Sequence, residues 1–390
     1  MRIHRGKSRV AVAGLSIALL MGALAGCSSA KSPEQQPAGG TSKKPIKIGA
    51  VFILSGNNAG YGQAQKPGVE LAAEAINKAG GIDGQQIQVI FEDSQGNPDE
   101  AVKAVRKLID KDEVTAIIGP TLSTEMQKAG PIANEAGVPI LGVSTTANGI
   151  TDIGKYVFRN SLPEANVLPL TTRKAMAKHN LKNVALMWAA NDAVSVGGYN
   201  IFKTEIPAAG MSLVAEASFQ VKDTDFSAQL TQVLAKKPEA IFVSSLYQEA
   251  ALLMVQARKA GFTGPFIGGN GFNSPALIDV AKQDAEGAIV GSPWYPGADS
   301  KVVKEFIAAY TAKVGKAPDQ FSAQAYDGMS LVIEALKAAK STDHDKVRDA
   351  LAAIKNFEGV TGKFSFDEKR NPSMSPYILT VQNGKMTELK

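Results

Sequence analysis

From residue 46 onward, short apolar runs alternate with longer stretches whose apolar residues recur at helical spacing. The run over 46–52 predicts a strand, and the stretch over 62–79 predicts an amphipathic helix. The alternation restarts with a predicted helix over 164–178 and continues to a predicted strand over 266–268. Strands separated by helices of roughly 10–15 residues indicate parallel sheets covered on both faces. The pattern therefore predicts an α/β protein with doubly wound parallel sheets.

The length of the chain predicts two such sheets in separate lobes. Of its 390 residues, about 346 follow Lys44, which is more than a single hydrophobic core usually organises. In open α/β sheets, ligands bind beyond the carboxyl ends of the strands. We therefore expect a ligand cleft between two lobes, lined by residues that directly follow the predicted strands.

The first 26 residues have the pattern of a secretory signal peptide. They contain four basic residues and no acidic one, and residues 10–25 form an uncharged, largely apolar stretch. That stretch is too short to span a bilayer comfortably as a permanent helix. It leads into Leu24-Ala-Gly-Cys27, which resembles the bacterial lipobox, and Cys27 is the only cysteine of the chain. The resemblance implies cleavage before Cys27, with lipid on its thiol and on the new amino terminus.

Residues 27–45 are predicted to tether the folded part of the chain to a membrane. Residues 28–44 are rich in Ser, Gly, Pro and Gln, and they cannot bury enough apolar surface to offset the entropy of ordering. We interpret this segment, with lipid on Cys27, as a flexible linker. The alternative is an ordinary signal peptide followed by a cysteine without such a role. The tether would hold the protein on the outer face of the cytoplasmic membrane or in the periplasm.

Charge and residue usage argue against several classes of function. The formal net charge is +5, but the four basic residues of the signal segment account for most of it. The processed chain is therefore near neutral, which argues against nucleic-acid binding by bulk charge. With the single cysteine assigned to lipid, we expect no disulfide and no thiolate metal site. Three histidines are too few for us to expect Ser-His-Asp chemistry or a histidine-rich metal site.

Seven short stretches follow one another in an order that one known protein family shares. They are Leu54-Ser-Gly-Asn-Asn-Ala-Gly-Tyr61-Gly62, Ala79-Gly-Gly-Ile-Asp-Gly84, Ile117-Ile-Gly-Pro-Thr-Leu-Ser123, Ser144-Thr-Thr-Ala-Asn-Gly-Ile-Thr151, Thr224-Asp-Phe-Ser227, Gly268-Gly-Asn-Gly-Phe272 and Ala325-Tyr-Asp327. On these stretches, the chain over 46–390 resembles the type I periplasmic binding proteins. Within that family it is most similar to the leucine/isoleucine/valine receptors of ABC importers.

The resemblance implies two lobes, each assembled from separate segments of the chain. Lobe one would comprise 46–162 plus 293–366, and lobe two would comprise 163–292 plus 367–390. Three crossovers, near 160–163, 292–294 and 366–376, would form a hinge between the lobes. The implied fold is thus α/β, with two doubly wound parallel-sheet lobes joined by a three-segment hinge. Periodicity alone does not give this arrangement.

Ser123 is the strongest candidate for binding a ligand carboxylate. It opens a predicted helix directly after an apolar strand, where free backbone N–H groups and the positive end of the helix dipole favour an anion. The alternative is that Ser123 only caps the helix. In the family that the chain resembles, the loop aligned with Thr145, Thr146 and Ala147 supplies further polar contacts to the ligand. The register there is open by one residue, because Asn148-Gly149 replaces a common proline-containing version.

The resemblance assigns the side chain of the ligand to aromatic and apolar residues. Tyr61 follows the first strand, where the family has an aromatic wall, and the alternative is a tyrosine packed on its own loop. Phe321 aligns with a side-chain contact, although helical periodicity alone would place it in the core. In lobe two, Leu246 aligns with a position that tyrosine commonly holds.

Asn270 and Gly271 follow the last predicted strand of lobe two, and position 270 departs from the family pattern. Branched-chain receptors commonly have a glutamate there, which pairs with the ligand ammonium. Asparagine offers a carbonyl oxygen but no charge, and a charge-assisted hydrogen bond is roughly twice as strong as a neutral one. Asp192 or Glu249 could supply the missing charge, but the sequence places neither in the cleft. The ligand is therefore either an aliphatic amino acid or an acid or amide without an α-ammonium.

The resemblance implies an exported lipoprotein that binds a small molecule, closes its lobes around it and delivers it to the membrane permease of an ABC importer. A branched-chain or other aliphatic amino acid is the favoured ligand. A small carboxylate, an aromatic acid or an amide is the alternative, and the same lobes could serve sensing through a separate partner. We expect a monomer without catalytic activity, nucleic-acid partner, metal or cofactor.

Overall fold

The computed structural model describes residues 43–390, which form two large β-sheets with helices packed on them and one small three-stranded sheet. The predicted signal peptide, Cys27 and nearly all of the predicted linker lie outside the described residues. No helix within 43–390 combines the length and the hydropathy that a membrane span needs.

The first sheet is parallel throughout. Its strands are β1 (Ile46–Phe52), β2 (Ile87–Asp93), β3 (Ala116–Ile118), β4 (Ile140–Gly142) and β5 (Val157–Arg159), and its first three connecting helices are α1 (Ala59–Lys78), α2 (Pro98–Asp110) and α3 (Ser123–Glu135). The strand order is β2-β1-β3-β4-β5, which is a doubly wound order. Ile48 packs in a core with residues of α1, and Ile117 packs in a second core with residues of α2 and α3. Helices therefore cover both faces of the sheet.

The second sheet repeats this order with the next part of the chain. Its parallel strands are β6 (Asn183–Ala189), β7 (Ser212–Phe219), β8 (Ala240–Ser244), β9 (Phe266–Gly268) and β10 (Ile289–Ser292), and its helices are α4 (Glu164–His179), α5 (Ala193–Ala208), α6 (Ser227–Leu234), α7 (Tyr247–Lys259) and α8 (Pro275–Ala281). The order β7-β6-β8-β9-β10 is the order of the first sheet again. The predicted α/β fold with two doubly wound sheets is confirmed.

The chain then returns to the first sheet. This returning segment contains α9 (Lys301–Val314), α10 (Gln320–Ala339), α11 (His344–Ala352) and the small sheet of β11 (Phe357–Gly359), β12 (Gly362–Phe366) and β13 (Pro372–Ser373). α10 lies so close to α1 that a Cβ on Gly68 would stand 2.4 Å from the carbonyl oxygen of Ser322. Only glycine permits this approach of two helix backbones.

Two C-terminal strands, β14 (Tyr377–Gln382) and β15 (Lys385–Glu388), complete the second sheet. β14 pairs antiparallel with β10 and β15 pairs antiparallel with β14, so this sheet is mixed where the alternating pattern predicts only parallel strands. Asn383 and Gly384 join the pair, with φ of 52° and 68°. An Asn-Gly pair with positive φ forms the two-residue turn that favours a hairpin.

The chain passes three times between the two sheets. It leaves β5 for α4 through 160–163, leaves β10 for α9 through 293–300, and leaves β13 for β14 through 374–376. We call the first sheet with α1–α3, α9–α11 and the small sheet the first lobe. The second sheet with α4–α8 is called the second lobe.

Candidate functional site

A cavity lies between the two lobes, and most of its wall comes from residues that follow strands. It surrounds about 400 Å³ of space outside the protein atoms, part of it open to solvent. The first lobe contributes Tyr61, Thr121, Leu122, Ser123, Ser144, Thr146, Gln320, Phe321 and Gln324, and the second lobe contributes Asp192, Val194, Leu246, Asn270 and Gly271. This position, beyond the carboxyl ends of parallel strands, is where the fold class binds ligands.

Seven of the nine residues predicted for the site lie on this wall. They are Tyr61, Ser123, Thr146, Leu246, Asn270, Gly271 and Phe321. Thr145 and Ala147 are buried but are not on the wall, and their carbonyl oxygens accept hydrogen bonds from Arg159 Nη1 at 3.1 and 2.6 Å. Arg159 thus holds the loop on the side away from the cavity. Of the three loop residues whose register the sequence left open, Thr146 is the one that lines the cavity.

Ser123 is the first residue of α3, and the N-cap position before it is occupied by Leu122. The Ser123 hydroxyl oxygen accepts a hydrogen bond from the N–H of Ala147 at 3.1 Å, which joins the helix start to the neighbouring loop. The first turn of a helix leaves N–H groups without partners inside the helix, and the dipole is positive there. Burial raises the pKa of Glu125, in the same turn, to about 7, which limits its negative charge near neutral pH. This wall can bind a carboxylate.

Tyr61 connects the lobes through its hydroxyl group. The hydroxyl donates to the carbonyl oxygen of Gly271 at 2.8 Å and accepts from the N–H of Tyr247 at 2.8 Å. Its ring lies edge-on to Tyr247, with centroids 4.9 Å apart, and 4.3 Å from the ring centroid of Phe321. Burial raises the pKa of Tyr61 well above its ordinary value, so the hydroxyl stays protonated and can donate. Tyr61 is therefore both a wall of the cavity and a bridge between the lobes.

Asp192 forms a second bridge and is the only carboxylate among the described wall residues. Its Oδ2 accepts from the N–H and the hydroxyl of Ser195 at 2.9 and 2.8 Å, so Asp192 is the N-cap of α5. Its Oδ1 accepts from the hydroxyl of Thr124, on the first lobe, at 2.9 Å. The Thr124 hydroxyl in turn accepts from the N–H of Ala193 at 3.0 Å.

Glu249, the other candidate for the missing charge, is not on the cavity wall. Its Oε1 accepts from Asn57 Nδ2 at 2.7 Å and from the N–H of Lys222 at 2.8 Å. The structure thus places Asp192, and not Glu249, beside the cavity.

Asn270 is fixed at three points, and one of its atoms is free. Its N–H donates to Glu164 Oε1 at 3.0 Å, and its carbonyl oxygen accepts from Gln320 Nε2 at 3.0 Å. Its Nδ2 donates to the carbonyl oxygen of Leu162 at 3.4 Å. Its Oδ1 is buried without a hydrogen-bond partner among the described residues. The Asn270 side chain therefore offers an unused acceptor at the cavity.

Sequence reasoning missed several polar wall residues. Thr121 and Ser144 follow β3 and β4, which is the signal that identified their neighbours. Gln320 and Gln324 are four residues apart on α10, so they share a helix face with Phe321. That spacing could have indicated them once Phe321 was placed in the cleft.

The charged side chains of the described wall residues are of one sign only, which is negative. Among the described wall residues there is one carboxylate, Asp192, and no lysine, arginine or histidine. Within 43–390, no group of three or more His, Cys, Asp or Glu side chains is placed to hold a metal ion. A ligand here would meet a helix amino terminus on the first lobe and acceptors on the second.

Comparison with known proteins gives one family model, described as periplasmic binding protein, which matches residues 45–385. The chain is 28% identical over 325 residues to a leucine-, isoleucine-, valine-, threonine- and alanine-binding protein of Pseudomonas aeruginosa, which covers 83% of this chain and 86% of that protein.

Two solved structures are similar over most of their length. One is the branched-chain amino acid transporter substrate-binding protein LivJ of Streptococcus pneumoniae in complex with isoleucine, with 34% identity, a TM-score of 0.84 and coverage of 88% of this chain and 97% of that one. The other is a solute-binding protein of an ABC transporter from Rhodopseudomonas palustris BisB5 in complex with 3,4-dihydroxybenzoic acid. It has 27% identity, a TM-score of 0.80 and coverage of 89% and 96%.

Proposed function

This chain belongs to the periplasmic binding protein family, and we propose that it is the receptor of an ABC importer for an aliphatic amino acid. It is an exported solute-binding protein of the branched-chain amino acid transporter type. Its partners are accordingly a small molecule and the membrane permease of such a transporter. The residues of the cavity wall bear on the identity of the small molecule.

The observation that carries the proposal is the pairing of opposite chemistries on the two walls. The first lobe presents Ser123 and the positive end of α3, which suit a carboxylate. The second lobe presents the Asp192 carboxylate and the unpaired Oδ1 of Asn270, which suit an ammonium group. An α-amino acid carries both groups on neighbouring atoms. A small carboxylate without the ammonium would leave the buried Oδ1 of Asn270 unpaired, at about 1–3 kcal/mol.

The remaining wall suits an aliphatic side chain. Leu122, Val194 and Leu246 provide aliphatic surface, and the rings of Tyr61 and Phe321 provide a flat apolar one. Burial of a leucine-sized side chain against such surface contributes about 1.5–3 kcal/mol. The apolar wall thus favours leucine, isoleucine or valine over a polar amino acid.

The mechanism we propose is closure of the second lobe on a ligand already held by the first. The three passages between the sheets, over 160–163, 293–300 and 374–376, would act as the hinge. The bridges made by Tyr61 and Asp192 form only when the lobes meet. The ligand favours the closed form by binding it more tightly than the open one. One chain supplies both walls, so we propose that the receptor works as a monomer.

We further propose that Cys27 carries lipid and anchors the receptor outside the cytoplasmic membrane. The support is the sequence Leu24-Ala-Gly-Cys27 and the polar segment after it. The intact mass of the exported chain provides the test. A chain that starts at Cys27 with the added mass of acyl chains supports the anchor, and a chain that starts elsewhere or has a free Cys27 thiol contradicts it.

A thermal-shift panel on the mature chain tests the choice of ligand. We expect leucine, isoleucine or valine to raise the melting temperature, because ligand at 100 times Kd stabilises a protein by about 2.7 kcal/mol. The matched control for leucine is 4-methylpentanoate, which lacks only the amino group and should give a much smaller shift. A shift with aromatic acids or amides but not with amino acids would contradict the proposed ligand and leave the transport role in place.

A further inference from the structure

Gln324 is a buried residue of the cavity wall whose side chain has no part in the proposed function. It lies on α10, and only 1% of its surface is exposed. Its side-chain Nε2 is buried without a hydrogen-bond partner among the described residues. A buried donor without a partner destabilises a protein, so most such donors are paired. On the wall of a binding cavity, the free Nε2 of Gln324 is therefore available to an acceptor on the ligand.

Other polar side chains that the first lobe adds to the wall are already paired within the protein. The Thr121 hydroxyl donates to Gln65 Oε1 at 2.7 Å and accepts from the N–H of Ile53 at 3.2 Å. The Ser144 hydroxyl donates to the carbonyl oxygen of Thr121 at 2.6 Å and accepts from Gln65 Nε2 at 2.8 Å. Neither hydroxyl has a donor left for a ligand.

Gln320, one helical turn before Gln324 on α10, gives the most direct comparison. Its Nε2 donates to the carbonyl oxygen of Asn270 at 3.0 Å, and its Oε1 accepts from Asn273 Nδ2 at 2.9 Å. Both ends of the Gln320 amide are thus used inside the protein. The unpaired Nε2 is a property of position 324 and not of every glutamine on this wall.

The place of Gln324 on the wall indicates the side chain of the ligand as its partner. Gln324 comes three residues after Phe321 on α10, so the two share a helix face. The ring centroids of Phe321 and Tyr61 are 4.3 Å apart, and both rings contact the ligand side chain in the proposed function. The ligand carboxylate and ammonium are assigned to Ser123 and Asp192, at the starts of α3 and α5. Gln324 therefore lies with the residues that surround the aliphatic part of the ligand.

We propose that Gln324 is a specificity-determining residue that donates a hydrogen bond from Nε2 to an oxygen atom on the ligand side chain. The inference rests on the proposed function and adds a preference among aliphatic amino acids for one that carries a hydroxyl. Threonine has this chemistry, because it has the shape of valine with a hydroxyl in place of one methyl group. It keeps most of the apolar contact with the wall and pairs the donor. A purely aliphatic side chain still binds the apolar wall but leaves Nε2 unpaired.

The test compares threonine with valine by isothermal titration calorimetry on the mature chain. In the wild type, we expect threonine to bind at least as tightly as valine, although valine buries more apolar surface. Gln324→Met keeps the length of the side chain and removes the donor. It should raise the ratio of the Kd of threonine to the Kd of valine by about tenfold or more. The buried hydroxyl of threonine then lacks its partner, and valine no longer leaves a donor unpaired.

Gln256→Met is the matched control for this substitution. The Gln256 amide accepts from the N–H of Phe226 at 2.8 Å and donates to the carbonyl oxygen of Thr224 at 2.8 Å, within the second lobe and away from the cavity wall. Its loss should lower the stability of the chain and leave the ratio unchanged. Gln324→Leu keeps the test available if Gln324→Met does not fold, because leucine is a strong helix former and suits a buried face of α10.

Three results would overturn the role of Gln324. A wild type that binds valine much more tightly than threonine, or an unchanged ratio in the Gln324 variants, would show that Nε2 does not meet the ligand side chain. Equal losses for threonine and valine would place Nε2 at the carboxylate that both ligands share. A wild-type chain that binds neither ligand, but binds a carboxylate without an amino group, would instead contradict the proposed function itself.

Discussion

Asp192→Asn is expected to weaken leucine binding by about 10- to 100-fold, with little change in the stability of the ligand-free protein. A hydrogen bond to a charged group contributes about 1.5–3 kcal/mol, and Asp192 is the only carboxylate among the described wall residues. Asparagine is as good an N-cap as aspartate, so the contact with the N–H of Ser195 at the start of α5 is retained. The substitution therefore removes charge and leaves the local fold in place.

Two comparisons separate the loss of charge from other effects of Asp192→Asn. The affinity for 4-methylpentanoate, measured by the same calorimetry, should stay constant or increase, since that ligand has no ammonium group. Asp343→Asn is the matched control variant, because Asp343 caps α11 through the N–H of Lys346 at 3.0 Å and lies away from the cavity. Equal losses for leucine and for the deaminated acid would show that Asp192 acts on closure alone, and would contradict its role as the partner of the ammonium group.

The sequence predicts helix positions well where a strong signal marks both ends. The sequence predicts a helix over 123–135, and α3 has those bounds. The sequence also predicts a helix over 198–209, but α5 begins at Ala193, five residues earlier, and includes Gly197-Gly198. Two adjacent glycines disfavour a helix by propensity alone, and packing against the second sheet overrides that preference. Because α5 starts at Ala193, Asp192 is its N-cap. A helix that started at residue 198 would leave Asp192 in the preceding loop, so the sequence did not place its carboxylate in the cleft.

The expectation that ligands bind beyond the carboxyl ends of the strands identified the site residues that directly follow strands. It did not identify site residues from other parts of the chain. Ser123 and Asn270 follow β3 and β9 closely, and the structure places both on the wall. Gln320 comes from the segment that returns to the first lobe late in the chain, where no strand precedes it and where its helical spacing indicates the cavity only once Phe321 is placed there. The same holds for Gln324, one turn later on the same helix. Contacts between segments far apart in the sequence determine these positions. Such contacts cannot be read from a single sequence.

Tyr61→Phe is expected to weaken ligand binding by about 10- to 100-fold, because it destabilises the closed form of the protein and leaves the open form unchanged. The substitution keeps the ring contacts with Tyr247 and Phe321 but removes the hydroxyl that joins the lobes. In the closed protein, the carbonyl oxygen of Gly271 and the N–H of Tyr247 then lose their partner, at about 1–3 kcal/mol for each buried unpaired group. In an open protein both groups can bond to water. Apparent affinity falls in proportion to the population of the closed form.

The kinetics of release distinguish this bridge from a simple wall contact. Because the bridge forms after the ligand has bound the first lobe, Tyr61→Phe should speed dissociation and leave the association rate nearly unchanged, as stopped-flow fluorescence can measure. Tyr199→Phe is the matched control, since the Tyr199 hydroxyl donates to Glu216 at 2.6 Å within the second lobe. A slower association with unchanged dissociation would contradict the bridge, because it would place the effect of the hydroxyl on the open form. The dissociation rate therefore reports whether Tyr61 holds the lobes together once the ligand is inside.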